Sequence, residues 1–273
     1  MRPFFLCCLV ASFGAVSSLQ ADENVRAVQS RLKAGGYYSG AIDGRYNSDT
    51  ATAVTRYQIR NGLQITGKLD AQTRHALGVA AAGESEVPSA KLGEDVWRYL
   101  RKSDQAYINR LMAEDARASG ERKSPANSTR ASAPTVATPP PVAIRSSPAS
   151  VNHERLRDYV AAFILAGLDP QVGSETEFFA DRVDYFGEHH VTREKIRRDL
   201  QQYANRWPGR GFWLADDLAV RPVKDKLEVS FPLRYELRSG SRRSSGQVWK
   251  TLVLEKTGAD DFQIVSVNER KAK

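Results

Sequence analysis

Apolar residues first settle into a helical rhythm at Val25, Val28 and Leu32, with Asn24 in front of them as an N-cap. Gly35-Gly36 closes that predicted helix, because glycine enters the left-handed terminal conformation without a side-chain clash. A second helix is predicted from Ser48-Asp49, burying Val54, Tyr57 and the stem of Gln58. It stops at Asn61-Gly62, after which Leu63 folds back on the core, and Asp70 caps a short third helix carrying Thr73 and Leu77. Two turns repeat a pattern. Gly40-Ala41-Ile42-Asp43 and Gly67-Lys68-Leu69-Asp70 each send an apolar residue inward and end on an aspartate ahead of a helix that holds a threonine. Both aspartates read as caps accepting from exposed backbone N–H groups, and so as structural rather than catalytic.

Residues 79–91 are small and polar, a linker. Leu92, Val96, Leu100, Tyr107 and Leu111 align on an amphipathic helix predicted over 92–118, which docks on a domain, self-associates or stands in solvent. Residues 119–150, rich in Ser, Ala, Pro and Thr, cannot build a core and read as an extended tether. Helical rhythm returns at Leu156, Tyr159, Val160, Phe163, Ile164 and Leu168. Ser174-x-x-Glu177 fits a capping box opening a short helix with Phe178 and Phe179, and Val183–Phe186 a brief strand. His189-His190 falls in a predicted loop, and Thr192 caps a helix presenting Ile196, Leu200, Tyr203 and Trp207 up to Pro208-Gly209. From Leu227 the period drops to two. Leu227, Val229, Phe231, Leu233, Tyr235 and Leu237 alternate with Glu228, Ser230, Arg234 and Glu236, a half-buried strand in which Pro232 requires a bulge or an edge. Gln247–Lys256 and Phe262–Asn268 complete a meander. Helices first and an antiparallel sheet afterwards give an α+β domain with its helices on one face of the sheet.

Composition changes the picture mainly at the ends. The first 21 residues read as a secretory signal: Arg2, an apolar run from Phe4 to Val16, then small residues suited to cleavage after Ser18 or Ala21. That run is too short for a membrane span, so no stable span is expected after cleavage. Cys7 and Cys8 both lie inside it, leaving the mature chain without disulfide or thiolate chemistry. The formal charge of +8 is spread along the chain without a basic block, which argues against nucleic acid as partner.

The series Gly36-Tyr37-Tyr38-Ser39-Gly40-Ala41-Ile42-Asp43-Gly44-Arg45-Tyr46, Thr50, Ala53-Val54, Tyr57-Gln58, Asn61-Gly62-Leu63, Thr66-Gly67-Lys68-Leu69-Asp70, Thr73, Leu77 resembles the peptidoglycan-binding-like domain, a small all-α three-helix module of bacterial envelope proteins. The resemblance covers residues 24–78 and implies peptidoglycan as partner, and with it a periplasmic or cell-wall-associated location. Phe178-Phe179-Ala180-Asp181-Arg182-Val183-Asp184-Tyr185-Phe186 and Arg206-Trp207-Pro208-x-Arg210 look like the nuclear-transport-factor-2-like fold over residues 152–270. That resemblance implies a cone-shaped α+β domain in which a curved antiparallel sheet wraps over helices around a pocket. Its members include isomerases, dehydratases, binding domains and dimerisation domains, so a homodimer through this domain is one expectation. The chain is therefore expected to comprise a signal (1–21), the first module (22–80), a linker with helix and tether (81–150) and the cone (151–273).

Candidate chemistry follows from these two parts. In the first, Tyr37, Tyr38, Arg45, Tyr46, Arg56 and Arg60 are the candidates for ligand contact, since tyrosine faces suit sugars and arginine forks suit stem-peptide carboxylates. In the second, Tyr159, Tyr185, Tyr203, Trp207, Trp213, Tyr235 and Trp249 could line the cone pocket or fill the core. Asp181 and Asp184 stand beside the tyrosines as carboxylates for acid–base work, but no motif assigns them a role. His75, His153, His189 and His190 lack ligand spacing, so no metal and no cofactor is expected. The leading expectation is a non-catalytic wall-binding protein that anchors a ligand- or partner-binding cone; the alternative is an envelope enzyme, isomerase- or hydrolase-like, with its active site in the cone.

Overall fold

The computed structural model describes residues 23–79, 92–102, 148–169, 173–214, 218–257 and 261–272. The expected signal, the tether up to residue 147, and Tyr107 and Leu111 lie outside the described residues.

The first module has three helices, α1 (Glu23–Ala34), α2 (Ser48–Arg60) and α3 (Ala71–Leu77). Asn24 sits inside the first turn of α1 rather than ahead of it. Val28, Leu32, Tyr37, Tyr38, Ala53, Val54, Tyr57, Leu69 and Leu77 form its core. The repeat seen in the sequence exists, but shifted by a few residues. Asp43 does not cap α2; it accepts from the Arg45 N–H and the Gln29 amide, while Asn47 caps the helix through the Thr50 N–H. The equivalent segments are Gly44-x-x-Asn47-x-x-Thr50 and Gly67-x-x-Asp70-x-x-Thr73. In each, the glycine has positive φ (73° and 63°) and its N–H donates to the Oε1 of a buried glutamine, Gln29 or Gln58. The same two amides donate to Thr50 and Thr73 respectively. One buried glutamine thus organises each turn, satisfying backbone groups that could not otherwise be removed from water.

Helix α2 is buried on every side from Thr50 to Ile59. Ala53, Val54 and Tyr57 face the module's own core, whereas Ala51 and Ile59 belong to the core of the second domain. Small Ala and Thr residues on that far side allow close approach to α4 (Leu92–Lys102) and α5 (Pro148–Ala166). Trp97 of α4 is buried, packs near Phe178 at 5.5 Å and donates its indole N–H to Asp169 at 3.0 Å. Arg101 then closes on both oxygens of Asp261 at 3.2 and 3.1 Å. The helix predicted from residue 92 therefore docks, and α5 begins at Pro148, inside the span read as tether.

The second domain continues with a 3-10 helix (Ser174–Phe178), β1 (Phe179–Tyr185), β2 (Glu188–Thr192), α6 (Arg193–Arg206) and five strands: β3 (Gly209–Leu214), β4 (Ala219–Val223), β5 (Lys226–Ser239), β6 (Arg242–Lys256) and β7 (Phe262–Lys271). Sheet order is β2-β1-β7-β6-β5-β3, with β4 also on β5; β1 and β7 pair in parallel and the other pairs are antiparallel. The fold is a helical module followed by an α+β domain with a curved, mostly antiparallel sheet.

Local differences from the sequence reading have physical causes. No capping box forms at Ser174, whose hydroxyl instead donates to Asp169 at 3.1 Å. His189 and His190 lie in strand β2, formed as a hairpin with β1 through the turn Phe186-Gly187. Pro232 sits in mid-strand without a bulge between β5 and β6. On the other flank β4 pairs end at Ser230 and β3 pairs begin at Leu233, so proline occupies a local edge where no N–H is required. The free edge of β3 is met by the first module, where the Ile65 N–H donates to the Phe212 carbonyl at 3.0 Å.

Candidate functional site

Of the six candidates in the first module, most are used inside the protein. Tyr37 and Tyr38 are 2% and 3% exposed, packed in the module core, with Tyr37 edge-on to Tyr57 at 5.4 Å. Burial pushes both phenols up. Tyr46 is half-buried between the two cores and donates its hydroxyl to the Gly67 carbonyl at 3.0 Å. Arg56 is buried on Asp158, and Arg60 pairs with the buried Glu154 of the second domain. Arg45 stays exposed, its backbone held by Asp43 and Gln29. Docking thus removes the Arg56 and Arg60 face of α2 from ligand reach and leaves Ile42 and Arg45 of the intervening loop exposed.

The cone encloses a cavity of about 620 Å³. Four of the seven aromatic candidates line it: Tyr185 from β1, Tyr203 and Trp207 from α6 and its end, and Tyr235 from β5. Tyr159 lies in the core, its hydroxyl donating to the Phe262 carbonyl at 3.0 Å. Trp213 is covered by the Arg234 guanidinium at 4.2 Å, and Trp249 by Arg270 at 5.5 Å; neither borders the cavity. Strand alternation explains the split, since residues of opposite parity on β3 and β6 face opposite sides of the sheet. Gly246, opposite Tyr235 on β6, keeps the cavity wall open for that ring: a Cβ there would meet the Tyr235 hydroxyl at 2.9 Å.

Buried side chains form the closed end, among them Ile164, Glu175, Phe179, Leu233 and Val267, while Phe186 and Tyr203 are exposed at the mouth. Glu175 is not among the sequence candidates. It occupies the position read as the second residue of a capping box, and its polar neighbours Ser174, Thr176 and Glu177 give no local signal of burial. It is 9% exposed, no cation lies within salt-bridge distance among the described residues, and burial pushes its carboxyl up. Arg210 and Lys250 face the same cavity and oppose that shift from a distance, whereas Asp169 adds to it. Tyr185 is raised by burial, and Tyr203, though partly exposed, is raised by the desolvation of its inner side. Asp181 is exposed on Arg193, and Asp184 on the surface is held down by its bond to His189, so neither faces the cavity. A buried acid with three tyrosines and four cations around a largely apolar cavity can bind and orient a small polar-headed ligand, and can exchange a proton with it.

Phe186 adds a strained feature at the mouth. Its φ is 48°, in the left-handed region that disfavours a bulky side chain, and its ring stands edge-on to Tyr185 at 4.6 Å with the Lys250 ammonium 5.5 Å above it.

Among the described residues no group of His, Cys, Asp and Glu could hold a metal ion, and no helix is long and apolar enough to cross a membrane.

No curated protein sequence matches this chain. A family model described as "Putative peptidoglycan binding domain" matches residues 21–77. Among solved structures, the chain is similar to a "putative dehydratase from the NTF2-like family" of Streptomyces avermitilis, at 14% identity and TM-score 0.38, over 46% of this chain and 98% of that one. It is similar also to a "putative calcium/calmodulin dependent protein kinase II association domain" from Xanthomonas campestris, at 14% identity and TM-score 0.38, over 44% of this chain and 86% of that one. A "putative aromatic ring hydroxylase" from Novosphingobium aromaticivorans matches over 42% of this chain and 87% of its own, at 10% identity and TM-score 0.36. Residues 21–77 therefore match a peptidoglycan-binding family model, and the C-terminal α+β part is similar, at low identity, to solved domains of which one is described as NTF2-like.

Proposed function

We propose that this is an exported, non-catalytic protein that holds to peptidoglycan through its first module and presents the cone cavity to a small ligand in the periplasm or at the wall. The observation that carries the reading is the peptidoglycan-binding match at residues 21–77, joined to a cone with an open cavity of about 620 Å³. The loop that exposes Ile42 and Arg45 is the part of the module that supports wall contact, because the opposite face is committed to the cone. A homodimer through the cone would make the protein a bivalent wall binder and raise avidity without new contacts. Co-sedimentation of the full chain with purified sacculi tests wall binding: retention in the pellet supports it, and a protein that stays in the supernatant removes it.

A second reading has one observation in its favour. Glu175 is a buried acid inside the cavity, placed to move a proton, which would make the cone an isomerase- or hydrolase-like envelope enzyme with the module as its targeting domain. Turnover of a candidate ligand that Glu175→Gln abolishes without loss of binding would favour this second reading over the first.

A further inference from the structure

Glu175 and Arg210 line one cavity without meeting. Glu175 sits at the closed end, 9% exposed, without a cation at salt-bridge distance among the described residues. Arg210, half-buried at the start of β3, lies 6.0 Å from the centre of the Tyr203 ring and likewise has no carboxylate at salt-bridge distance among them. Lys250, the neighbouring cation on β6, is already committed to Glu269 at 3.2 Å. Arg210 is therefore a guanidinium fork in a largely apolar wall with its donors available to a ligand.

We propose that the cavity takes a small apolar anion, its anionic head on Arg210 and its body among Phe179, Phe212 and Leu233; this rests on the reading of the cone as a ligand-binding domain. An arginine without a carboxylate at salt-bridge distance, on the wall of a largely apolar cavity, gains most from a carboxylate-type head, because the charge-assisted bonds form where water is scarce. Burial raises the nearby Glu175 carboxyl, which weakens the charge it sets against such a ligand. The other ionisable groups facing the cavity are Asp199 and Tyr203 on α6, Tyr185 on β1, Tyr235 on β5, the Lys250–Glu269 pair, and Arg270 and Lys271 at the end of β7; Asp169 acts on Glu175 from beyond α5. Arg210, Lys250, Arg270 and Lys271 outnumber Asp199, Glu269 and Glu175 around the cavity, which favours an approaching anion.

The test uses the full chain and a neutral fluorescent probe, N-phenyl-1-naphthylamine, displaced by dodecanoate or by 1-dodecanol. Dodecanoate is expected to displace the probe at roughly ten-fold lower concentration than the alcohol, the equivalent of one strong charge-assisted contact. Arg210→Gln is expected to erase that preference, and Arg210→Lys to keep part of it; thermal melts establish that both variants are folded. Equal potency of acid and alcohol, or a preference that survives Arg210→Gln, overturns the anion assignment while leaving the cavity as a ligand site. Failure of the wild-type chain to take up the probe or either competitor overturns both.

Discussion

Arg56 of the first module and Asp158 of the cone meet in a buried ion pair, 4% and 2% exposed, with Nε and Nη2 of the arginine donating to one carboxylate oxygen at 3.0 and 2.9 Å. The two residues are 102 positions apart in the chain. Their contact, together with Arg60 on Glu154 and the Ile65–Phe212 backbone bond, makes the first module and the cone one packed body.

Breaking that pair removes the Asp158 carboxylate from a buried guanidinium. Asp158→Asn is expected to lower stability by about 3–5 kcal/mol, whereas the double change Arg56→Met with Asp158→Leu recovers most of the loss. Urea unfolding of the three proteins checks this; an Asp158→Asn midpoint equal to wild type would mean the pair contributes nothing.

Gln58 serves two backbone donors, Thr66 and Gly67, and one carbonyl, Lys68. Gln58→Leu orphans the Thr66 and Gly67 N–H groups and leaves the Lys68 carbonyl with the Thr66 hydroxyl alone, and is expected to destabilise the protein by about 2–4 kcal/mol. Hydrogen exchange should localise the damage: amides of Thr66 and Gly67 lose protection first, and uniform loss across the chain would contradict the turn-specific role.

Glu175 gives a pH dependence whose sign follows from burial. Its folded pKa lies above the ordinary 4.5, so the unfolded chain releases this proton first as pH rises. Glu175 thus weakens the fold progressively from that value up through its folded pKa, and the full penalty applies beyond it. Glu175→Gln is expected to melt higher than wild type at pH 8 and to lose that advantage at pH 4. Identical differences at both pH values would show that the carboxyl is not perturbed in the folded protein.

Phe186 trades backbone strain for a place at the cavity mouth. Asparagine suits the left-handed first position of a two-residue hairpin turn far better than phenylalanine. Phe186→Asn is expected to change stability by no more than about 1 kcal/mol, since relief of strain offsets the lost edge contact with Tyr185. It is also expected to weaken uptake of the neutral probe several-fold. Unchanged probe affinity would remove Phe186 from the site.

Much of the architecture is legible in the residues themselves. Thr192 caps α6 through the Lys195 N–H at 3.4 Å as the sequence indicates, and the period-two run from Leu227 to Leu237 lies inside β5. Both signals are local, resting on a side chain and backbone a few positions apart or on alternation along one strand. Strands β3 and β4 are not legible, because Gly209–Leu214 and Ala219–Val223 are short and take their strand form from pairing with β5. The site suffers most. Tyr37 and Tyr38 look like sugar platforms along the chain, yet the small module needs them as core, and Arg56 looks like a surface fork until a second domain covers it.

What the sequence determined alone was the set of amphipathic segments, their caps and turns, and hence a helical module followed by an α+β domain. Those follow from the periods of helix and strand, which a side chain obeys whatever lies beyond its neighbours. Only the tertiary structure decided that α2 is buried on both faces, that Arg56 answers Asp158, and that Glu175 and Arg210 share one cavity without touching. Burial and charge compensation depend on groups brought together from distant parts of the chain, and no local period records which groups those will be.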